Sequence, residues 1–182
     1  MFQALSGKVI TGIVTLSMLL LSSYEGNNAK FGNMTAIYLG SRIHVSAALV
    51  NAFENDFEEY FRSGQRIEIF FNIEIFKRKE LIHENEFRHA VIFDPIGKIF
   101  HVFLEEQNIQ TTTTSYAELL ELISLIEYDY NEDDYESGQV VLSAHMKKIR
   151  LQSLNKEYDL MMLWKFKKPR LSRNCEPAKI EI

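Results

Sequence analysis

Five histidines are the residues best suited to acid–base or metal chemistry in this chain: His44, His83, His89, His101 and His145. Their spacing includes neither HExxH nor another paired arrangement of metal ligands. His89 falls on the apolar face of a predicted strand, where a hydrogen-bonded core histidine is more common than a ligand or a general base. His44 and His145 fall on polar strand faces, where we expect them to be solvated. The histidines therefore predict no metal and no cofactor.

Side chains with an oxygen ligand stand at alternate positions over residues 129–137, as they do in the first half of an EF-hand calcium loop. Asp134 occupies the sixth position, where the loop needs a glycine for its sharp turn. Val140 occupies the twelfth position, where the loop needs a bidentate glutamate. These departures favour a solvated acidic loop over residues 127–138, with no metal expected.

Nucleophilic and paired-carboxylate chemistry also lack a recognisable arrangement. The chain has no GxSxG turn and no Gly-rich phosphate loop, and Cys175 follows Arg173 in a polar tail with no histidine near it in sequence. Glu68 and Glu74 lie on one predicted strand, where solvated charges are more common than a glycosidase acid–base pair. The sequence predicts a protein that is not an enzyme, with an unrecognised hydrolase as the weaker alternative.

A basic cluster near the end of the chain is the strongest candidate for a binding surface: Lys165, Lys167, Lys168, Arg170 and Arg173. Such a cluster can contact anionic lipid headgroups. The alternative is a solvated strand end whose cations keep the chain soluble and protect an exposed edge. The formal net charge of −5 argues against a general nucleic-acid binder, which needs a basic face.

The centre of the predicted fold is a strand over residues 66–76. Alternate residues from Ile67 to Ile75 are apolar, so one face of the strand is expected in the core. A polar connection then leads to a hairpin around residues 94–97, whose Asp-Pro-Ile-Gly sequence favours a type I turn. A turn closed there would pair Phe93 with Lys98 and Val91 with Phe100.

Other elements are predicted on both sides of this centre. We expect strands at residues 35–39, 42–49, 140–146 and 160–166, a polar loop at 107–114, and helices starting at Asn51 and Ser115 with capping-box spacing. Phe70, Phe76, Ile99 and Phe103 fall on second strand faces, and their cover is expected from the protein's own helices, another sheet or a partner. Together these elements predict a mainly β (α+β) domain, an antiparallel β-sandwich or strongly curved sheet of about seven strands with two short amphipathic helices.

Domain boundaries follow from composition. Lys8 and an uncharged apolar run over residues 9–23 favour a cleaved signal peptide, an N-terminal membrane anchor or, as a third alternative, a buried helix. We assign residues 1–29 to this leader plus tether, with the Gly/Asn-rich tether running on to Asn33. Residues 30–168 form a single antiparallel β-rich domain, and residues 169–182 a basic and polar disordered tail. The single cysteine excludes an internal disulfide.

The order of these motifs resembles a bacterial exported domain-of-unknown-function family, the one numbered forty-three-ninety. The resemblance lies in Val91-x-Phe-Asp-Pro-x-Gly-Lys-x-Phe100, Thr114-Ser-Tyr-Ala-Glu-Leu119, Ser137-Gly138 and Trp164-Lys-Phe166, in that order. It covers most of the chain from Ile43 to Phe166. Many members have a Trp-rich connection where this chain has residues 80–85. The resemblance implies a small bacterial envelope protein with a signal or anchor and no assigned activity.

These observations predict an exported bacterial envelope protein, in the periplasm or on the outer face of the cytoplasmic membrane. The first hypothesis is a non-enzymatic interaction module that binds an envelope protein or the membrane surface. The alternative is a β-fold carrier of a lipid or another apolar ligand, which would need an open cavity between its sheets. A packed interior of isoleucine and phenylalanine would favour the first hypothesis.

Overall fold

The computed structural model describes residues 26–55, 57–133, 135, 137–151 and 156–178. Its strands are β1 (Lys30–Tyr38), β2 (Arg42–Val50), β3 (Ile67–Lys77), β4 (Glu80–Asp94), β5 (Ile99–Leu104), β6 (Ile109–Thr113), β7 (Leu125–Asn131), β8 (Gly138–His145), β9 (Lys148–Leu151), β10 (Lys156–Asp159), β11 (Arg170–Asn174) and β12 (Glu176–Pro177). Two α-helices, α1 (Phe57–Arg62) and α2 (Tyr116–Ser124), and a 3₁₀ helix (Leu160–Trp164) complete it. The sandwich-like, mostly β fold is confirmed, although the described part of the chain has 12 strands and not about seven.

Two main sheets form the sandwich. The larger sheet has the order β11-β8-β3-β4-β5-β6, and the smaller one has the order β12-β1-β2-β7. Neighbouring strands are antiparallel except for the short parallel pair of β1 and β12. The strands β9 and β10 form a separate hairpin.

The core lies between the two sheets and is built on β3. Its five alternate apolar residues are fully buried: Ile67, Ile69, Phe71, Ile73 and Ile75. They pack with buried residues of β2 such as Ile43 and Val45. The apolar face predicted from alternation in the central strand is therefore confirmed, because period-2 spacing places all five side chains on one side of the sheet.

The hairpin after β3 differs from the predicted one. The connection predicted as polar is the start of β4, which pairs with β3 from Glu80 onward. The turn into β5 spans residues 95–98, so Phe93 pairs with Phe100 and Val91 with Val102. Lys98 adopts a φ of 54°, which moves the turn one residue along the chain. The register changes by two residues, and the predicted core face is preserved because an even shift keeps each side chain on its side.

The two helices close the sandwich. The first helix begins at Phe57 and not at Asn51, because Asn51 and Asn55 adopt φ values of 53° and 59° that interrupt a helix. The predicted cap of α2 is confirmed, since the Ser115 side chain accepts a hydrogen bond from the Glu118 N–H. The buried residues of both helices belong to the core: Phe57, Tyr60, Phe61, Leu119 and Ile123.

The outer face of the larger sheet is covered by cations instead of helices. Lys147 Nζ lies 3.6 Å from the centroid of the Phe70 ring, and the Arg66 guanidinium lies 5.2 Å from that of Phe103. The expectation that the protein's own helices cover these rings is wrong, because both helices pack their apolar residues into the sandwich interior. Cation–π contacts of this kind also keep the rings compatible with a polar surface.

Several segments in the second half form strands where loops were predicted. The predicted polar loop at residues 107–114 contains β6, and the predicted acidic loop at 127–138 contains most of β7. Backbone pairing with a neighbouring strand outweighs their polar composition, as Val45 opposite Tyr128 illustrates. The prediction of a disordered tail from residue 169 is wrong for the residues up to the end of β12 at Pro177. Leu171 of β11, for example, pairs with Leu142 of β8. Residues 179–182 lie outside the described residues.

The segment predicted as the last strand is the 3₁₀ helix Leu160–Trp164. The alternation of Leu160, Met162 and Trp164 fitted a strand, but Met161 and Leu163 are also buried. This segment is apolar at every position. A buried helical turn can accommodate such a segment, whereas a strand with one face toward water would expose every second apolar side chain. The chain therefore reaches the basic cluster through a helical turn.

Candidate functional site

The 3₁₀ helix fixes the position of the predicted basic cluster. Its first turn is capped by Asp159, whose carboxylate accepts a hydrogen bond of 2.9 Å from the Met161 N–H. At its other end, the indole N–H of Trp164 donates to the carbonyl oxygen of Ala52 at 3.0 Å. Trp164 is 1% exposed, so residue 165 leaves the core from a buried and hydrogen-bonded anchor.

A tight turn follows this anchor, and it carries an exposed phenylalanine. Lys165 and Phe166 both adopt left-handed backbone conformations, with φ values of 53° and 57°. The Lys165 N–H donates to Met162 at 3.1 Å, the Phe166 N–H to Met161 at 2.8 Å and the Lys167 N–H to Trp164 at 2.9 Å. The Phe166 side chain points into solvent and is 68% exposed. We call Lys165, Phe166, Lys167 and Lys168 the basic turn.

The structure brings together only part of the predicted basic cluster. Lys165, Lys167 and Lys168 are exposed neighbours in the basic turn. Arg170 lies on β11 and forms an ion pair of 2.9 Å with Glu74 on the outer face of the larger sheet. Arg173 lies further along β11, opposite Val140. The cluster is therefore a group of three lysines, with one arginine neutralised and another displaced along an edge strand.

Phe166 is the residue of this surface that the sequence reasoning missed. The strand interpretation placed it on the same face as Trp164, in the core. A signal for the true arrangement was present in residues 159–164, because an aspartate before five consecutive apolar residues is typical of a capped helical turn. Ending that turn at Trp164 would have placed Phe166 among lysines in a surface loop.

The charge of the basic turn is not cancelled by the nearest acidic group. Glu86 lies close to Lys168, but its carboxylate is 2.8 Å from Lys147 Nζ, and the hydrogen bond from Lys147 lowers the pKa of Glu86. Burial lowers the pKa of His145, which contacts the same carboxylate, so this imidazole favours its neutral form. Within the described part of the chain, neither Lys165 nor Lys167 forms an ion pair with a carboxylate.

The first described residues of the chain lie against this turn. Asn27 is 1% exposed, and its main-chain N–H donates to Leu163 at 2.6 Å. Its side-chain amide donates to the carbonyl oxygens of Ala52 and Glu54, each at 3.0 Å, and accepts from Asn55 at 2.8 Å. The prediction of a tether that continues to Asn33 is therefore wrong from Asn27 onward, because Asn27 is already part of the folded domain.

Gly26 lies beside Asn27, and we call the contacts of these two residues with residues 163–165 the junction. Gly26 adopts a φ of 66°, and a Cβ built on it would lie 2.9 Å from Lys165 Cγ. A side chain would thus collide with the basic turn, and glycine permits both the close approach and the left-handed conformation. The predicted leader itself, residues 9–23, lies outside the described residues. In the remainder, no helix has the length and apolar character needed to cross a membrane.

The other chemical candidates are engaged in structural contacts. His89 is a hydrogen-bonded core histidine, as predicted, between Ile123 and Glu106. Asp129 of the calcium-like segment contacts the His44 imidazole at 2.9 Å, and Arg42 lies 3.5 Å from the same oxygen. The Asp129 carboxylate is therefore engaged in contacts within the smaller sheet.

Two further chemical candidates, Glu68 and Cys175, also have contacts that are common in protein structures. Glu68 contacts Arg66 at 2.8 Å and Arg88 at 3.1 Å on the outer face of the larger sheet. Cys175 lies between β11 and β12 and not in a flexible tail, and burial raises the pKa of its thiol to about 11. Such a thiol carries little thiolate at neutral pH. Among the residues that the structure describes, no group of three histidine, cysteine or acidic residues is placed to hold a metal ion.

Comparisons with protein-family models, with curated proteins and with solved structures found no match to this chain. The resemblance to the exported family therefore stays a prediction that rests on the quoted motifs. Arguments about function depend on the geometry of the domain and of the basic turn.

Proposed function

We propose that this protein is a non-enzymatic interaction module of the bacterial envelope. The observation that carries the proposal is the filled interior of the sandwich. The five inward residues of β3 are 0% exposed and belong to one buried core that also contains residues of the smaller sheet and of both helices. Close packing of this kind leaves the domain with its surface as the means of binding.

A carrier of an apolar ligand has less support. Carriers hold their ligand in a cavity lined mainly by apolar side chains. The clefts next to the larger sheet are open: Arg66 and Arg88 line one, and Lys168 and His145 line another. A third is more apolar, with Phe76 and Cys175 in its wall, but it is also open and carries Arg78 and Lys79. They suit recognition of polar groups at the surface better than enclosure of a lipid chain.

The envelope location is supported by the leader predicted at residues 9–23 and by the position of the junction. Gly26 packs against Lys165 and Asn27 against Leu163, so the described part of the chain begins beside the basic turn. A signal peptide or a membrane anchor at residues 9–23 would place the domain in the periplasm or on the outer face of the cytoplasmic membrane. A cationic surface is suited to a bilayer that carries anionic headgroups.

Fractionation of a bacterium that expresses the full chain tests this proposal. We expect the protein in the envelope, with a mature N-terminus at or before Asn27 if the leader is cleaved, because Asn27 is built into the fold. Native mass spectrometry of the gently extracted protein distinguishes the carrier, which would retain a lipid at one-to-one stoichiometry. Recovery of the full chain in the soluble cytosol, or a stoichiometric bound lipid, would contradict the proposal.

A further inference from the structure

We propose that the basic turn is a membrane-docking element, in which Phe166 inserts into the interface of an anionic bilayer while Lys165, Lys167 and Lys168 contact the lipid headgroups. This inference rests on the proposed location of the domain at a membrane. It names the surface that faces the bilayer and the chemical class of its partner. The partner is a lipid surface that carries net negative charge.

The side-chain chemistry of the turn suits that interface. Phe166 is 68% exposed, although an aromatic ring of this size gains from leaving water. The lysines on both sides of it are exposed as well. Lysine side chains can lie with their hydrocarbon portion beside an apolar surface and their ammonium group among headgroups. At an anionic interface, the aromatic ring can thus contact the hydrocarbon layer while the lysines on both sides of it contact the charged headgroups.

The backbone of the turn is prepared for the same environment. A backbone N–H without a partner is costly in a bilayer, where water is scarce. In the basic turn, the N–H groups of Lys165, Phe166 and Lys167 all donate to carbonyl oxygens of the preceding helical turn. Phe166 can therefore enter the interface without leaving these three donors unpaired.

The conformation of the turn also fixes the direction of Phe166. Left-handed conformations are unfavourable for residues with a Cβ, and two occur in succession at Lys165 and Phe166. The buried Trp164 before the turn and the buried Pro169 after it hold this geometry, and the Pro169 carbonyl accepts from Ala144 at 3.0 Å. The ring is presented outward by the fold, so docking requires little reordering of the loop.

The junction adds a reason to assign the partner as a membrane. Gly26 contacts Lys165, so a membrane-bound leader would keep the basic turn close to the bilayer surface. Weak contacts then act at high effective concentration. Leu39 is a surface residue far from the junction. It follows the nine residues of β1, which at about 3.3 Å per residue place it about 30 Å from the start of that strand.

Depth-dependent fluorescence quenching tests the docking on the full chain. Phe166→Trp places a reporter in the turn, and Leu39→Trp is the matched control, because Leu39 is also an exposed apolar residue, at 44%. The native Trp164 is buried and present in both variants. We mix each variant with phosphatidylglycerol or phosphatidylcholine vesicles that contain acyl-brominated lipid. We expect quenching of about half of the added emission for Phe166→Trp in the anionic vesicles and little for Leu39→Trp.

The contribution of charge is tested on the same reporter. Lys165→Gln with Lys167→Gln removes two cations from the turn, and Arg78→Gln with Lys79→Gln removes two at the β3–β4 turn, the opposite end of the sandwich. Each headgroup contact contributes about fivefold, so the first pair should lower the ratio of docked to undocked protein by about 30-fold. The second pair should leave it nearly unchanged. Higher salt should weaken docking in the same direction.

The outcomes separate this inference from the proposed function. If the chain floats with the vesicles but Phe166→Trp is quenched no more than Leu39→Trp, the docking inference is overturned and the envelope module stands. Equal quenching in both lipids, or no effect of the two turn lysines, overturns the assignment of an anionic partner, because Phe166 would then enter a bilayer without any contact between the lysines and charged headgroups. A chain that neither floats nor shows quenching overturns the docking inference alone, because the envelope module is tested by fractionation and by the absence of a bound lipid.

Discussion

His89 Nε2 lies 2.9 Å from Glu106 Oε1, and neither side chain is exposed to solvent. His89 Nδ1 lies 2.9 Å from the carbonyl oxygen of Ile123, which can only accept, so Nδ1 carries a hydrogen. Gln107 donates to the same Glu106 oxygen at 2.9 Å. The pair joins β4, the turn after β5 and the end of α2. Glu106 Oε2 is buried without a hydrogen-bond partner among the described residues.

Removing one member of this pair should destabilise the domain strongly. His89→Leu keeps an apolar side chain in the core but leaves the Glu106 carboxylate buried with one donor, so we expect a loss of about 3–5 kcal/mol. Glu106→Gln is the matched control, because it removes the charge but keeps the size and a hydrogen-bonding group beside His89, and it should cost less than about 1.5 kcal/mol. Urea unfolding measures both. Equal losses would mean that charge burial does not dominate at this site.

The apolar face of β3 should be the most sensitive part of the core. Ile69→Ala and Ile73→Ala each remove a fully buried side chain between the sheets, and each should destabilise by about 2–5 kcal/mol through the cavity left behind. Leu81→Ala is the control, because Leu81 is 47% exposed and should change stability by less than about 0.5 kcal/mol. Denaturant midpoints at constant slope measure the differences. Small effects at both isoleucines would show that this face is not the core.

Periodicity predicted the elements whose two faces differ strongly. The central strand was recognisable because Ile69 and Ile73 are fully buried on one side, whereas polar residues such as Asn72 on the other side are only partly buried. The hairpin register was not recognisable, because it depends on the left-handed conformation of Lys98. That conformation is typical of glycine and is not predicted by a lysine. The strands β6 and β7 were hidden by polar side chains, since their stability comes from backbone pairing with neighbours distant in sequence.

The candidate surface was predictable in its charge and not in its shape. The lysines of the basic turn are adjacent in sequence, so composition alone placed them together. The exposure of Phe166 depends on where the 3₁₀ helix ends, and that end is set by the hydrogen bond from Trp164 to Ala52, more than a hundred residues away. The contact of Gly26 with Lys165 likewise joins distant segments of the chain, which no local pattern indicates.

Acidification should destabilise the domain through His83. Burial lowers the pKa of His83 below its ordinary value of 6.5, with Tyr128 at 2.7 Å and the Tyr130 ring stacked at 4.1 Å. Below pH 6.5 the unfolded chain binds a proton that the folded one does not, so stability falls as the pH falls through this range. Burial lowers the pKa of His145 in the same sense.

His83→Gln should flatten this dependence, because it removes one of the groups whose protonation differs between the folded and unfolded states. Urea unfolding between about pH 7.5 and about pH 5.5 measures the slope. The exposed His101→Gln is the control and should keep the slope of the native protein. An unchanged slope in His83→Gln would assign the acid sensitivity to other groups.

Gly138→Ala should disrupt the start of β8. A Cβ at this position would overlap the carbonyl oxygen of Phe76 on the paired strand and the Tyr135 hydroxyl, which donates to that carbonyl at 3.0 Å. The strands must separate locally, so we expect a loss of about 2–3 kcal/mol in thermal or urea unfolding. Ser137→Ala, at the exposed neighbouring residue, is the control and should be nearly neutral. Equal stability of the two variants would show that the strands separate at little cost.

The junction supplies a prediction that links stability to docking. Asn27→Ala removes one of the two donors to the Ala52 carbonyl oxygen, the donor to Glu54 and the acceptor for Asn55, so it should destabilise by about 1–3 kcal/mol. Asn28→Ala is the control, because Asn28 is exposed and differs only by position, and it should be close to neutral. Chemical unfolding of the full chain measures both variants.

The same pair of variants tests whether the junction holds the basic turn at the membrane. Asn27 joins Ala52 to the first described residues of the chain, and the Ala52 carbonyl oxygen also accepts a hydrogen bond from the indole N–H of Trp164. Loosening Asn27 should therefore reduce the lipid quenching of the Phe166→Trp reporter under conditions where the domain is still folded, while Asn28→Ala should leave it unchanged. Quenching that survives Asn27→Ala would mean that the turn finds the bilayer without help from the junction, because the lysines and the aromatic ring alone supply enough affinity.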